Sequence, residues 1–333
     1  MSGVLLAIIS AAIFGFQNAA ARRAVVTATP TQGMILTVPT VLPLLTLICY
    51  FSGGFDEIEK WNWLTFFFAG TAGISHFVIG RFCNYVSIQA LGSILSTPIQ
   101  QLSTIMSLVC AIIFLNENLT GLNILGILLV SIGPILLINR RHSYASHETG
   151  GEFKPDLKRG IVFGLICVLG YGSSPILIVL SLHTIQSSSD IILSESFTNS
   201  LVILFFSYLS ASVLVIILGA ALGGLSSPKL LSLPGARWFL LSGFMIAVSQ
   251  IFRYTAFALA PVSVVVPIQR ISVIFRLLFN AYFNRQYERI DTSIVFGIIL
   301  SVVGAIALGV ETKVALNWLG VGETIYRVLS WQL

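Results

Sequence analysis

The chain has 333 residues, of which 56 % are hydrophobic and only 9 % charged, with 18 Lys and Arg against 13 Asp and Glu for a formal net charge of +5. A water-facing globular surface needs roughly a quarter of its residues charged, and the mean hydropathy here is +0.94, so a soluble globular domain is excluded and the chain is assigned to a bilayer. A transmembrane helix takes about 20 apolar residues, which leaves space for roughly ten of them and none for a large water-side domain or for catalysis upon one.

The first apolar run, 3–21, has no basic residue before it and continues into Arg22 and Arg23 without a small-residue cleavage site. A secretory signal would show both features, so this run is expected to be retained as a first helix. Nine more runs follow at 33–52, 62–87, 93–115, 121–139, 160–182, 197–222, 237–258, 262–284 and 292–310. Runs such as 161–169 and 294–303 lack the alternating polar positions of a membrane β-barrel, so helices are predicted throughout. Tight turns are expected at Ala90-Leu91-Gly92, Asn116–Thr120 and Leu259-Ala260-Pro261, and a polar loop at 140–159 separates the fifth run from the sixth. The tail 311–333, with Trp318, Tyr326, Arg327 and Trp331, is amphipathic and too polar to span; it is expected at the membrane interface. Cys49, Cys83, Cys110 and Cys167 all fall within apolar runs, at spacings that match neither a zinc site nor a disulfide framework, and read as packing residues.

The chain repeats itself. Pro98-Ile99-Gln100 matches Pro267-Ile268-Gln269 at an offset of 169, and the same offset pairs Tyr85 with Tyr254 and Ser103 with Ser272. After a two-residue slip, Glu117, Gly126 and Gly133 fall opposite Glu288, Gly297 and Gly304. The order of helix, tight turn, proline-containing helix, short acidic turn and glycine-spaced helix thus occurs twice. An odd number of spans per repeat places the two halves in opposite orientations, the architecture of many secondary transporters with a site at the midplane. The predicted fold is therefore an all-α polytopic membrane protein of ten transmembrane helices, built as two inverted five-helix repeats over 3–139 and 160–310.

The stretch from Tyr254 through Leu259-Ala260-Pro261 to Pro267 resembles the signature stretch of the drug/metabolite transporter superfamily in its EamA branch, and Leu115–Gly133 is similar to that family's fourth-to-fifth helix junction. The resemblance covers residues 3 to 310. It implies a secondary transporter of a small metabolite working by alternating access, an integral protein of the plasma (inner) membrane, monomeric or homodimeric, with neither nucleic-acid partner nor cofactor. No G-x-x-x-x-G-K-[ST] phosphate loop is present, and no metal site or enzymatic activity is expected.

Charge inside a membrane costs about 3 kcal/mol per residue on insertion scales, so each buried ion needs a cavity or a partner. Arg276 lies near the middle of the ninth run, with Gln269 seven residues earlier on the same helical face and Arg270 about 120° away. The equivalent positions of the first half are Gln100, Gln101 and Ser107, so the expected site is positive on the second-half side and hydrogen-bonding on the other. Arg81 and Asn84, Arg253 and Tyr254, His76, and Gln17 and Asn18 are candidates to complete it. Arg81 and Arg253 stand close enough to predicted helix ends for a snorkelling alternative, and His76 reads as a packing hydrogen bond. The run 3–21 holds no Glu of the kind that couples the small multidrug resistance proteins of the same superfamily, and Asp190 and Glu195 lie only at the start of the seventh run. Buried guanidinium groups suit an anionic or carboxylate-bearing substrate, with Arg276 expected to hold it. Pro98 and Pro267 are expected to kink their helices, and Gly219 with Gly223 forms a lone G-x-x-x-G.

Basic residues divide unevenly between the two sides. Lys60, Lys313 and Arg327 fall with the termini, and Arg22, Arg23, Arg140, Arg141, Lys154, Lys158, Arg159, Lys229, Arg237, Arg285 and Arg289 fall opposite. The positive-inside rule then puts the central loop in the cytoplasm and the termini outside, whereas the resemblance implies cytoplasmic termini; the charge count is followed here. A lipid-acting membrane enzyme is the alternative function, but the chain has no H-E-x-x-H, paired membrane aspartates or G-x-S-x-G elbow. A channel is the remaining alternative.

Overall fold

In hydrocarbon every backbone amide must be satisfied within its own segment or by a neighbouring one, and the described residues are helical almost throughout. The computed structural model describes residues 2–115, 120–122, 124–126, 128–129, 155–185, 193–221, 234–285 and 292–309. Among these, seven stretches are long and apolar enough to cross a membrane. The first is α1 (Ser2–Val25). The second joins α2 (Pro30–Thr37) to α3 (Leu42–Phe51) through a 3₁₀ turn at Pro39–Val41. The third runs through α4 (Trp63–Gly73), a π-helical stretch at Ile74–Gly80 and α5 (Arg81–Leu91). Then come α6 (Ser93–Leu115), α7 (Leu157–His183), α8 (Leu193–Ala221) and α9 (Ala236–Leu259). Two shorter helices, α10 (Val262–Gln269) and α11 (Ser272–Phe283), precede α12 (Thr292–Gly309).

Local sequence explains several of these boundaries. Thr29 caps α2 in a reciprocal box with Gln32, ahead of Pro30 at the first helical position. Asn62 caps α4 through the Thr65 amide, and Asp156 caps α7 through the Arg159 amide at 3.0 Å. Gly92, at φ +86°, makes the sharp turn between α5 and α6 in a conformation that other residues rarely adopt. The predicted continuous run 262–284 is interrupted. Pro267 offers no N–H to the preceding turn, and the chain passes from α10 to α11 through i→i+3 bonds from Ile271 to Ile268, Val273 to Arg270 and Ile274 to Ile271. Pro98, by contrast, sits inside a helix that continues to Leu115.

The bundle has two ends. At one, Arg22 donates to the Ile88 carbonyl, Arg23 to that of Phe283 at 2.8 Å, and the Asp156 amide to the Ala90 carbonyl at 2.8 Å; this is called the Asp156 end. At the other, Gly3 lies against Leu259 and Ala260; this is the Gly3 end. α1 packs along α9 and along α10 and α11, while α7 packs along α4, α5 and α6. Equivalent glycines make equivalent contacts. A Cβ on Gly3 would meet Ala260 at 2.9 Å, and one on Gly160 would run into Leu91, the residue 169 positions before Ala260. A Cβ on Gly15 would stand 2.7 Å from the Ser272 carbonyl oxygen and one on Gly172 3.2 Å from that of Ser103, again 169 apart. All four cysteines are free and buried. Most of the predicted fifth span, the loop 140–154, Gly223 and the tail 311–333 lie outside the described residues.

Candidate functional site

Large apolar side chains such as Leu5, Phe51, Ile217 and Leu278 face outward, so the polar residues of the spans are turned toward one another. They meet around a cavity of about 40 Å³, room for roughly three waters in this conformation. Its lining comes from both halves. α1 supplies Ser10, Ala11 and Phe14, the π-helical stretch His76, α6 Gln100 and α7 Tyr171; α9 contributes Ser249, Gln250 and Arg253, and the α10–α11 junction Gln269, Arg270 and Ser272. Phe14 and Tyr171, one from the first helix of each half, meet edge to face with centroids 6.4 Å apart.

Arg253 and Arg270 are the cations of the cavity, and its lining contains no carboxylate. The Arg253 Nη1 donates to Gln250 Oε1 at 3.3 Å and lies 3.2 and 3.3 Å from the two ring nitrogens of His76. With its oxygen taken by Arg253, the Gln250 amide turns its nitrogen to His76 Nε2, at 3.0 Å. His76 Nδ1 stands 3.0 Å from the Ser174 hydroxyl, and this arrangement fits the tautomer with the proton on Nδ1. The Nε of Arg253 and the Nε of Arg270 are buried with no hydrogen-bond partner among the described residues. A buried, unpaired guanidinium N–H is costly, and these two belong to side chains that line the cavity. Gln269 donates to Ser10 Oγ at 3.2 Å, and Ser10 in turn bonds Ser249.

Arg276 lies outside this lining. Its Nε donates to Ser93 Oγ at 2.6 Å, Nη1 to Gln100 Oε1 at 2.7 Å and Nη2 to Ser96 Oγ at 2.8 Å. Gln100 donates onward to Asn84, and Asn84 to Asn18 at 3.3 Å. On the other side Asn280 donates to Ser93 at 3.2 Å, and Asn284 to both Asn280 and the Ala19 carbonyl at 2.8 Å. The polar chain so formed runs from α1 through α5 and α6 to α11.

Of the predicted site residues, the structure brings Gln100, Arg253, Gln269 and Arg270 into one cavity. Arg276 touches the lining at Gln100, Asn18 at the Phe14 carbonyl and, through Asn84, at Gln100, and Gln101 is buried without lining it. Arg81 is buried rather than snorkelled, with its guanidinium over the Phe77 ring and 3.5 Å from the Tyr208 hydroxyl. Tyr254 is turned toward α8, whose Ser200 bonds its carbonyl. His76 reads from sequence as a packing residue and here lines the cavity; Gln250 and Tyr171 were not anticipated. A signal for Gln250 exists in its spacing, since a residue three before Arg253 shares its helical face. Tyr171 stands in the second half where Phe14 stands in the first, within the matched patterns Gly3–Gly15 and Gly160–Gly172. Among the described residues, no group of three His, Cys, Asp or Glu is placed to hold a metal ion.

No curated protein matches the chain by sequence. Thirteen chains of solved structures match it. One of them, a protein of known crystal structure, aligns with a TM-score of 0.62 at 14 % identity, over 96 % of this chain and 99 % of the other. Likeness at that identity concerns the fold alone. Residues 1–139 match the model of the EamA-like transporter family, which is consistent with the drug/metabolite transporter superfamily that the sequence resembles.

Proposed function

We propose that the protein is a secondary transporter of a small anionic or carboxylate-bearing metabolite, carried by alternating access around the cavity between α1, α6, α9 and α11. The observation that carries this reading is the pair Arg253 and Arg270, two guanidinium groups on one cavity whose lining holds no carboxylate and each of which keeps an unpartnered Nε. Guanidinium forks match carboxylate and phosphate geometry. In this reading Arg253 and Arg270 hold the anion, Gln100, Gln250 and Gln269 complete its hydrogen bonds, and Phe14 and Tyr171 close over its apolar part. The whole works as ten spans in two inverted five-helix halves. Support for that arrangement comes from the repeated glycine contacts and from the reciprocal packing of α1 on α9–α11 and of α7 on α4–α6.

Purified protein in liposomes is expected to take up labelled organic acids or phosphorylated metabolites without ATP, and Arg270→Gln to abolish most of that uptake at low substrate concentration. Uptake restricted to cationic or neutral compounds, or unchanged by Arg270→Gln and Arg253→Gln alike, overturns the anion reading.

A further inference from the structure

We infer that Arg276 is a latch that closes the cavity toward the Asp156 end, and that among the described residues the Gly3 end has no charged counterpart to it. The inference rests on the transporter reading. Its first ground is position. Arg276 stands on α11 between Arg270, which lines the cavity, and Phe283, whose carbonyl binds Arg23 at the Asp156 end. Its partners Ser93 and Ser96 occupy the first turn of α6, which begins at that same end just after Gly92. The three bonds therefore tie the second half of the chain to the first between the cavity and that end.

The second ground is asymmetry. At the offset of 169 that relates the halves, Ser93 and Ser96 correspond to Val262 and Val265, and Arg276 and Asn280 to Ser107 and Ala111. The charged group and its hydroxyl and amide partners at the Asp156 end are thus replaced by serine, valine and alanine at the other. Ser107 makes a neutral tie in its place, donating to the carbonyls of Ser103 in its own helix and of Gly172 across the halves. Neutral hydrogen bonds such as Ser107 to Gly172 and Thr65 to Thr184 at one end, and a charged latch at the other, would open with unequal ease.

The third ground is the hinge. The helix carrying Arg276 starts at the break over Arg270 and Ile271, so a swing of α11 lifts Arg276 away from α6 while pivoting at a cavity-lining cation. Gln100 belongs to both systems, lining the cavity and accepting from Arg276. An anion that draws Arg270 and Gln100 toward itself competes with the latch directly.

The test reads access and needs no substrate. A cysteine placed at the cavity-lining Ala11 is reacted with a charged, membrane-impermeant methanethiosulfonate in right-side-out and inverted vesicles, against the parent chain whose four cysteines are buried. Arg276→Met is expected to raise the labelling rate about ten- to a hundred-fold, the size expected for loss of a charge-assisted hydrogen bond, and to do so from the Asp156 face only. Ser93→Ala with Ser96→Ala should do the same more weakly, and Arg276→Lys should restore part of the closure. Should Arg276→Met fail to fold, the serine pair decides. Folded variants that label at the parent rate, or that gain access from the Gly3 face, overturn the latch. Retained anion uptake in those same variants would leave the transporter reading standing, and loss of uptake on Arg270→Gln with a normal latch response would separate the two in the other direction.

Discussion

Arg270 and Arg276 are six residues apart in sequence and do different things. In an unbroken helix, at about 100° per residue, Gln269 and Arg276 share a face, and that phase leads the sequence to place the anion on Arg276. The break at Arg270 and Ile271 resets the phase. Gln269 turns to Ser10 of α1 and Arg276 to Ser93, Ser96 and Gln100 of α6. That the polar residues gather in the interior was therefore legible, as few polar residues in so apolar a chain can be anywhere else, whereas which arginines line the cavity was not. His76 shows the same limit. It sits in a π-helical stretch, whose wider turn shifts which residues face inward, and nothing in Ile74–Gly80 announces that turn. For Arg270→Gln the expected loss is one charge-assisted hydrogen bond, about 1.5–3 kcal/mol, so apparent anion affinity in a transport assay should fall about ten- to a hundred-fold. Arg270→Lys keeps the charge without the fork and should fall between Gln and the native residue.

At the scale of the helix, close approach is set by small residues, as expected where lipid gives helices no hydrophobic reason to associate. α4 meets α8 at Gly73, where an added Cβ would lie 2.6 Å from the Ser207 backbone Cα. Three residues earlier on the same helix, a Cβ on Gly70 would meet Ser210 only at 3.8 Å, an ordinary contact. Ser207 and Ser210 bond the α4 carbonyls of Ala69 and Gly70 at 2.8 and 3.0 Å, so the two backbones cannot separate without losing these bonds. Gly73→Ala should therefore destabilise the protein by about 1–3 kcal/mol, as overpacking does, and lower the midpoint of thermal unfolding in detergent. Gly70→Ala should leave that midpoint near the native value, and equal effects of the two would show that the helices slide freely. The spans themselves were legible to within a few residues wherever an apolar run ended in a turn signal, as at Gly92 and Pro261. Their internal breaks, at Pro39–Val41 and at Arg270, depend on how neighbouring helices take up freed backbone groups, which no local pattern records.

At the scale of the molecule, residues recurring at offsets of 169 and 171 suggest a duplication, and the glycine contacts supply a further register that the aligned Pro-Ile-Gln motifs do not contain. Gly3 and Gly15 correspond to Gly160 and Gly172 at an offset of 157, yet they touch residues related by 169. Two offsets for two touching elements are what a duplicated five-helix unit with one altered loop length produces. An experimental structure should superpose residues 3–115 on 160–283 about an axis in the membrane plane, and superposition without inversion would refute the repeat.

The charges of the folded chain also sort by end. Lys158, Arg159, Arg237 and Arg285 are exposed, and each lies at the Asp156 end: the first two open α7 beside Ala90, Arg237 follows Gly235 against Ala24 and Ala28, and Arg285 follows Phe283. Lys60 alone of the described basic side chains stands beyond the far ends of α3 and α4, paired with Glu57 at 2.8 Å. Short loops rich in Lys and Arg stay on the cytoplasmic side because translocating them is disfavoured, and every connection at the Asp156 end is short enough for the rule to apply. The Asp156 end is therefore predicted to face the cytoplasm, and the latch at Arg276 with it. A cysteine introduced as Ser146→Cys in the central loop should resist an impermeant thiol reagent applied to intact cells and react once the membrane is permeabilised. Reaction in intact cells would place the termini in the cytoplasm, as the family resemblance implies, and would turn the latch toward the outside.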